Sequence, residues 1–325
     1  METRVTLNLT YVVANIHLCY EMNGNKITMN PSAACVMFYC FLILLSVATV
    51  CGNLLVIISV FYFKHLHTPT NFLILSLAVA DLLVGIIVFP LGMAFSFTLC
   101  MFQDDLICKI RDSLGTYFCT CSILHLCCIS IDRYCAVCQP LKYKSKISHH
   151  VIVFMITVSW GASALIAIGS APKSKQKCQE NGFIEVLMKN ILGTVLSFYL
   201  PLVIILCVYL KIFFVAQRQA QNIQTRMKCG ATISKMERKA TKTLAIVLGI
   251  FIFCWTPFFF CFTLLPFTNN SMTVLMLEAS VCVGLTNSTL NPLIYAFFYS
   301  WFKSAFRIIM SGKILDSTYA NTILN

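Results

Sequence analysis

The side chains best suited to chemistry in this sequence are the few ionisable ones inside long apolar segments. Asp81 stands in the apolar run 75–88 with no basic residue beside it. A charge among apolar neighbours is costly, so an acid at this place is expected to have a function. Polar residues near the middle of other apolar segments are its expected partners: Asn53, Ser122, Asn287, Ser288 and Asn291. Their oxygens suit a hard cation such as sodium; the alternative is a protonated Asp81 hydrogen-bonded in a helix bundle.

A second group of charges closes another apolar segment, at Asp132-Arg133-Tyr134. Glu237, at the foot of a later segment, is a candidate ion-pair partner for Arg133. An isolated arginine at such a place more often extends its charged head toward water. Pro257 and Pro292 interrupt apolar segments and predict kinks in the helices that contain them.

Enzyme chemistry is not indicated. His149-His150 and the scattered cysteines lack metal-ligand spacing, and the sequence has no glycine-rich phosphate-binding loop. We therefore expect no catalytic residues and no cofactor other than an allosteric sodium ion.

The composition identifies the elements that must position these residues. Of 325 residues, 58% are hydrophobic and only 11% are charged, against about 25% charged in soluble domains. Disorder is excluded by the same values, because 13% of the residues are aromatic. The chain is predicted to cross a membrane several times.

Seven segments are long and apolar enough to span a bilayer as helices, which needs about 20 residues each. The sequence thus predicts an all-α membrane protein, a seven-helix bundle over residues 34–299, after an extracellular segment 1–33 and before a cytoplasmic amphipathic helix and tail, 300–325. The predicted spans are Ala34–Phe61, Asn71–Phe95, Ile107–Cys138, His150–Ala171, Val186–Phe214, Lys242–Pro266 and Thr273–Tyr299.

The basic residues predict the orientation. Most of the 24 Lys and Arg residues lie on one side of the spans, which is therefore cytoplasmic, with the N-terminus outside. Asn8 and Asn269 begin glycosylation sequences, and both lie on the predicted outer side. The net charge of +12 indicates contact with anionic lipid, not with nucleic acid.

Taken together, these motifs resemble those of rhodopsin-like G-protein-coupled receptors along the whole chain. They stand in the order Gly52-Asn53, Leu77-Ala78-Val79-Ala80-Asp81, Asp132-Arg133-Tyr134, Trp160, Pro201 with Tyr209, Cys254-Trp255-Thr256-Pro257 and Asn291-Pro292-Leu293-Ile294-Tyr295. Residues 287–302 and the segments 63–72, 130–138, 216–220 and 237–240 are similar to trace amine-associated receptors.

The resemblance implies a ligand-operated switch in the plasma membrane of sensory neurons. Trp255 would sense the ligand, and the Arg133–Glu237 pair would open. Between Trp255 and this ion pair lie the other side chains that would rearrange when the receptor is activated: Ile123, Pro201, Phe251, Tyr209 and Tyr295. A heterotrimeric G protein, of the stimulatory class that raises cyclic AMP, would bind the exposed crevice.

The resemblance also implies a disulfide between Cys108 and Cys178. Cys19 and Cys100 also lie on the extracellular side, where conditions are oxidising, and could form a second disulfide with each other.

The predicted ligand site departs from the family pattern at one position. Amine-binding members carry an aspartate seven residues after the cysteine of the third helix, and Gly115 stands there in this chain. Asp112, one turn earlier, is the candidate replacement. It shares a helical face with Thr116 and Cys119. The alternative is that Asp112 only forms a surface pair with Lys109 or Arg111.

The other residues of the predicted ligand site come from the fifth, sixth and seventh spans: Thr194, Ser197, Trp255, Phe258, Phe259, Phe262, Glu278, Val281 and Leu285. The aromatic members favour a cation, although such a stripe also occurs in ordinary helix cores. Two ligand hypotheses follow: a small amine held by Asp112, or a non-amine ligand, because the usual aspartate is Gly115. A transporter or channel would show inverted repeats, which the sequence lacks.

Overall fold

A computed structural model describes residues 20–23, 26–29, 33–94, 106–170, 188, 191–225, 231–264, 271–298 and 300–312. Side chains are described for most of these residues, the main exception being residues 219–245. The chain is a bundle of seven spanning helices followed by a short amphipathic helix.

Six of the helices are each long and apolar enough to cross a membrane, and the seventh qualifies together with the short helix that follows it at 95°. The first span is Ala33–Tyr62, followed by the 3-10 turn Lys64–Leu66. The second consists of Pro69–Leu83, the π-helical turn Val84–Val88 and Phe89–Ala94. The others are Leu106–Cys138 (third), His149–Ser170 (fourth), the π-helical turn Val195–Tyr199 with Leu200–Thr225 (fifth), Ala231–Leu264 (sixth) and Ser271–Phe298 (seventh).

These bounds agree with the predicted spans to within two residues, except at the outer start of the fifth span and at the cytoplasmic ends of the fifth and sixth spans. The fifth helix continues to Thr225 and the sixth begins at Ala231, so both extend beyond the apolar segments on which the prediction rested. A short helix, Pro140–Lys146, joins the third and fourth spans. The sequence analysis also did not anticipate an antiparallel hairpin of strands Tyr20–Asn23 and Lys26–Met29 before the first span.

The π-helical turn in the second span has a cause in the sequence. Phe89 donates its backbone N–H to the carbonyl of Val84, and the next bond of this pattern would run from residue 90 to Gly85. Residue 90 is proline and has no N–H to donate. Ser46 of the first span supplies the missing hydrogen: its Oγ donates to the Gly85 carbonyl at 2.9 Å. The bulge therefore ties the first two spans together.

Gly52 allows the first and seventh spans to approach closely beside Asp81. A Cβ at this position would lie 2.9 Å from Cβ and 3.0 Å from Cγ of Pro292, whose ring cannot move aside. By contrast, a Cβ at Gly161, on the exposed face of the fourth span, would have no neighbour within 4 Å in the part of the chain that the structure describes.

We expect Gly52→Ala and Gly161→Ala to have opposite effects on stability. Overpacking against Pro292 destabilises the first variant by about 1–3 kcal/mol. The second gains up to about 1 kcal/mol from the better helix propensity of alanine. Thermal unfolding of the two purified receptors measures the difference. Equal unfolding temperatures would show that Gly52 is not needed for the close approach.

The amphipathic helix Ser300–Met310 packs against the cytoplasmic end of the bundle. Ala305 contacts Phe63 and Leu66 after the first span, and Phe302 joins the buried cluster that contains Tyr295. Lys303 and Arg307 are exposed on this helix, as expected for a helix at the headgroups of the inner leaflet.

Candidate functional site: an outer ligand site joined to a cytoplasmic switch

Asp81 lies at the centre of the bundle, with no exposure to solvent. Ser288 Oγ donates to its Oδ1 at 2.7 Å, and Asn291 Nδ2 donates to its Oδ2 at 2.7 Å. Asn53 Nδ2 donates to the Ser288 carbonyl at 3.1 Å, which connects the first span to the same group. The structure thus brings together Asp81, Asn53, Ser288 and Asn291 as the sequence predicted.

Several buried polar atoms in this region have no hydrogen-bond partner among the described residues: Asn53 Oδ1, Ser122 Oγ and Asn287 Nδ2. Ser122 lies beside the Asp81 carboxyl. Buried polar atoms are normally paired, so unpaired ones indicate a bound ion or water. Asn53 Oδ1 and Ser122 Oγ are oxygens and are of the type that binds a cation. The unpaired atom of Asn287 is a nitrogen, so its side-chain amide would have to rotate to present the oxygen.

A buried hydrogen-bond network that the sequence analysis missed joins the second, third and fourth spans. Trp160 Nε1 donates to Ser76 Oγ at 3.0 Å, and Ser76 Oγ lies 2.8 Å from His125 Nε2. His125 Nδ1 lies 2.7 Å from the Cys121 carbonyl. His125 is completely buried and has partners at both nitrogens, so its role in this bundle is structural.

The outer end of the third span carries the position where the family aspartate is replaced. Among the described residues, a Cβ on Gly115 would meet only Val88 Cγ1, at 3.9 Å, so these residues leave space beside Gly115. Asp112 is paired with Arg111: Arg111 Nε donates to Asp112 Oδ1 at 2.9 Å, and Nη2 forms an ion pair with the same oxygen. Arg111 is 10% exposed and Asp112 40% exposed. Arg111 itself was considered only as a surface partner, and its burial was not anticipated.

The aromatic stripe of the sixth span divides into two parts. Phe259 is buried and stacks on Phe198 of the fifth span, with centroids 4.2 Å apart, and belongs to the core. Phe258 and Phe262 stack on each other at 5.7 Å and are only partly buried. Trp255 lies below them, 6.3 Å from Phe258, and is nearly buried. Only Phe258 and Phe262 therefore retain much surface for a ligand.

The other predicted ligand residues also differ in exposure. Thr194, Ser197 and Leu285 are buried, and Thr116, Cys119, Glu278 and Val281 are partly buried. Leu285 packs with Val88 and Phe118, next to Val281 and Cys119. The space near Gly115 is thus bordered by an apolar cluster.

Trp255 connects this region to the predicted switch residues. Its ring lies against Gly284 of the seventh span, where a Cβ would meet two ring carbons at 3.0 Å. Below it, Ile123, Phe251 and Phe198 form one buried cluster with Trp255 and Phe259. Pro201 is buried in the fifth span, and Pro292 is buried in the seventh. Phe198 was not predicted, although its position three residues before Pro201 was a possible signal.

At the cytoplasmic end, Asp132 is held by partners that the sequence analysis did not identify. Thr70 Oγ1 donates to its Oδ2 at 2.8 Å, and Tyr143 OH donates to its Oδ1 at 2.9 Å. Burial raises the pKa of the Tyr143 hydroxyl, and the nearby Asp132 carboxylate raises it further. Tyr143 therefore remains protonated and able to donate.

Arg133 contacts the same carboxylate: its Nε lies 3.6 Å from Asp132 Oδ2. The predicted partner of Arg133, Glu237, has a side chain outside the described residues. Tyr209 is partly buried and Tyr295 is buried. Leu141, on the helix Pro140–Lys146, is 99% exposed. The sequence analysis gave it no role.

Cys108 is disulfide-bonded. Its predicted partner Cys178, the glycosylation sites Asn8 and Asn269, and the pair Cys19 and Cys100 all lie outside the described residues. No group of three or more His, Cys, Asp or Glu side chains in the described residues could hold a metal ion.

Comparison with known proteins agrees with this arrangement. Residues 52–295 match the model of the 7 transmembrane receptor (rhodopsin family). The chain is 41% identical over 302 residues to Trace amine-associated receptor 1 of Macaca mulatta, covering 86% of this chain and 88% of that protein. It is 39% identical over 310 residues to Trace amine-associated receptor 5 of Rattus norvegicus, covering 92% of each.

Both comparisons define a seven-helix receptor of the rhodopsin family. Within it, the chain belongs to the trace amine-associated receptors. It is therefore a multi-pass receptor of the plasma membrane, not an enzyme, and it responds to a small-molecule ligand through a G protein. The family prediction and the seven-helix prediction are confirmed.

Proposed function

We propose that this receptor detects small amines in olfactory sensation and signals through a stimulatory G protein that raises cyclic AMP. The observation that carries the amine proposal is the carboxylate of Asp112, one turn from Gly115 and partly exposed. The names of the relatives agree with an amine ligand. We place the ligand between this carboxylate and the aromatic pair Phe258 and Phe262, where cation–π attraction also favours an ammonium.

The test is cyclic AMP in cells that express the receptor, exposed to amines of different size and to neutral odorants of matched shape. We expect amines to give the larger response, and Asp112→Ala to raise their half-maximal concentration by about 10-fold or more, since a charge-assisted contact contributes about 1.5–3 kcal/mol. Surface staining controls for expression. A receptor at the surface that answers a neutral odorant and ignores every amine would contradict the proposal.

Signalling is proposed to run from Trp255 to Arg133. A ligand that favours one packing of Trp255, Phe251 and Phe198 would shift a pre-existing equilibrium between two arrangements of the bundle. Release of Arg133 would then open the cytoplasmic crevice, with Tyr209 and Tyr295 moving inward.

The bridge from Cys108 is proposed to end at Cys178, and glycans are proposed at Asn8 and Asn269. These assignments agree with the N-terminus outside, and mass spectrometry of tryptic peptides under non-reducing conditions tests them together.

We further propose that Asp81 holds a sodium ion as an allosteric effector. The supporting observation is the unpaired Ser122 Oγ, which adds a neutral oxygen beside the carboxylate; the unpaired Asn53 Oδ1 is a further buried polar atom without a described partner in the same region. Bound sodium would supply a positive charge that stabilises this packing of the second, third and seventh spans. Asp81, Ser122, Asn291 and Asn287, the last after rotation of its amide, are the proposed ligands.

Replacing sodium chloride by potassium chloride is expected to lower the thermal unfolding temperature of the purified receptor. The effect should vanish in Asp81→Asn, which keeps the shape of the side chain but removes its charge. Ser122→Ala should reduce it partly, since one of several oxygens is lost. A sodium effect of equal size in Asp81→Asn would place the ion elsewhere.

A further inference from the structure

The cytoplasmic half of the fifth helix meets the third helix in a contact that has no role in the predicted switch. Lys211 Nζ lies 5.9 Å from the centroid of the Tyr134 ring. Within about 6 Å, the negative face of an aromatic ring attracts a cation. Tyr134 directly follows Arg133, and Lys211 stands two residues after Tyr209. The contact therefore joins the neighbours of two switch residues on two different helices.

Nearer the middle of the bundle, the same two helices are joined by apolar packing. Ile205 is buried and Tyr209 is partly buried in the cluster that also contains Leu126 of the third helix. Lys211, by contrast, is exposed, and Tyr134 is partly buried. Since apolar packing has no preferred direction, the attraction between the ammonium and the ring adds a directional contact at the edge of this interface.

The Tyr134 ring is the partner of Lys211 that the structure shows. Among the described residues, Lys211 forms no ion pair, and the nearby Asp132 is fully buried and lies against Arg133. An exposed lysine at the end of a spanning helix can instead extend toward lipid phosphate. That alternative does not involve the Tyr134 ring, so changes to the ring distinguish the two roles.

We infer that Lys211 is a positioning residue of the switch: its ammonium, held over the Tyr134 ring, keeps the cytoplasmic half of the fifth helix in the resting arrangement. This inference rests on the proposed signalling, in which Tyr209 moves inward. An α-helix turns by about 100° per residue, so Tyr209 and Lys211 project to nearly opposite sides of the fifth helix. A rotation that carries Tyr209 toward the bundle axis therefore moves Lys211 off the ring, and the contact is lost.

The test is basal nucleotide exchange on purified heterotrimeric G proteins of the stimulatory, inhibitory and phospholipase-activating classes. The full-length receptor is purified in a detergent without charged lipid, and no agonist is added. We expect Lys211→Gln to raise basal exchange by about 2- to 5-fold, the shift produced by losing an exposed cation–π contact. Lys211→Arg keeps the cation and should behave like the unmodified receptor. Arg218→Gln, which removes an exposed positive charge seven residues later on the fifth helix, is the matched control and should leave exchange unchanged.

Variants of Tyr134 decide whether the effect comes from the contact. Tyr134→Phe keeps an aromatic face, so Lys211→Gln should raise exchange as much in this background as in the unmodified receptor. Tyr134→Leu keeps an apolar side chain without an aromatic face, so Lys211→Gln should have no further effect there. Comparing Lys211→Gln within each background removes any separate effect of the Tyr134 change on folding or on the G protein. Thermal unfolding of the same purified proteins shows that each is folded.

Each outcome decides the inference. Equal effects of Lys211→Gln in Tyr134→Phe and Tyr134→Leu would overturn it, because the lysine would then act without the ring. Unchanged or lower exchange in Lys211→Gln would also overturn it, since the contact would then not restrain the resting arrangement. Exchange only on a class other than the stimulatory one would contradict the proposed function, while the inference is judged on the class that responds. No exchange on any class in any variant would contradict both.

Discussion

Gly115→Asp is expected to lower the half-maximal concentration of monoamine agonists by about 100-fold, or about 2.7 kcal/mol. Among the described residues, the new Cβ would touch only Val88, at van der Waals distance, so these residues leave room for the side chain. Its carboxylate would lie one turn below Asp112, whose Oδ1 already engages Nε and Nη2 of Arg111. The new charge would thus be available to the ligand, and an ammonium beside it would form a charge-assisted pair shielded from water.

Gly115→Asn is the matched control, because it has the same shape without the charge and should leave the response to amines nearly unchanged. The measurement is cyclic AMP as a function of agonist concentration, corrected for receptor at the surface. Equal responses of the two variants would show that Gly115 does not face the bound amine.

The bundle itself was predictable because its signal is local. Apolar length predicts each span, and the order of the polar motifs fixes which span is which. Ser288 and Asn291 are three residues apart on one helix, so both were expected to face the same neighbour, and both donate to Asp81. Hydropathy predicted neither cytoplasmic extension, because helix formation there does not depend on apolar length. The segment Gln219-Ala220-Gln221-Asn222-Ile223-Gln224 nevertheless predicted that the fifth helix continues, and it does so to Thr225.

Contacts between distant segments were harder to predict. Thr70 and Tyr143 are polar residues of ordinary type, and nothing in their local sequence indicates that both reach Asp132. Arg111 was considered only as a surface partner of Asp112, because charged residues at helix ends are mostly solvated. Its burial depends on how the neighbouring segments cover it, which the sequence alone does not show.

Asp132→Asn is expected to raise basal cyclic AMP by about 10-fold, the consequence of shifting the two-state equilibrium by about 1.4 kcal/mol. Asp132 is completely buried, and its Oδ2 lies 3.6 Å from Arg133 Nε. Asparagine keeps the size of the side chain but removes the negative charge opposite the guanidinium. In addition, its amide nitrogen cannot accept a hydrogen bond, so either Thr70 or Tyr143 loses its acceptor. Both losses weaken the arrangement in which Arg133 is held against the third span.

Tyr143→Phe and Thr70→Val separate the charge from the hydrogen bonds. Each removes one donor to Asp132 and leaves the ion pair with Arg133 in place, so each should raise basal cyclic AMP by only a few-fold, since a neutral donor to a carboxylate contributes about 1 kcal/mol or slightly more. Basal cyclic AMP is divided by the number of receptors at the surface, because a buried unpaired group also lowers the amount of folded receptor that reaches the membrane. If all three variants reach the surface and none exceeds the basal level of the unmodified receptor, the contacts of Asp132 do not restrain Arg133. The restraint would then reside in the cytoplasmic part of the sixth helix, where Glu237 was predicted to act.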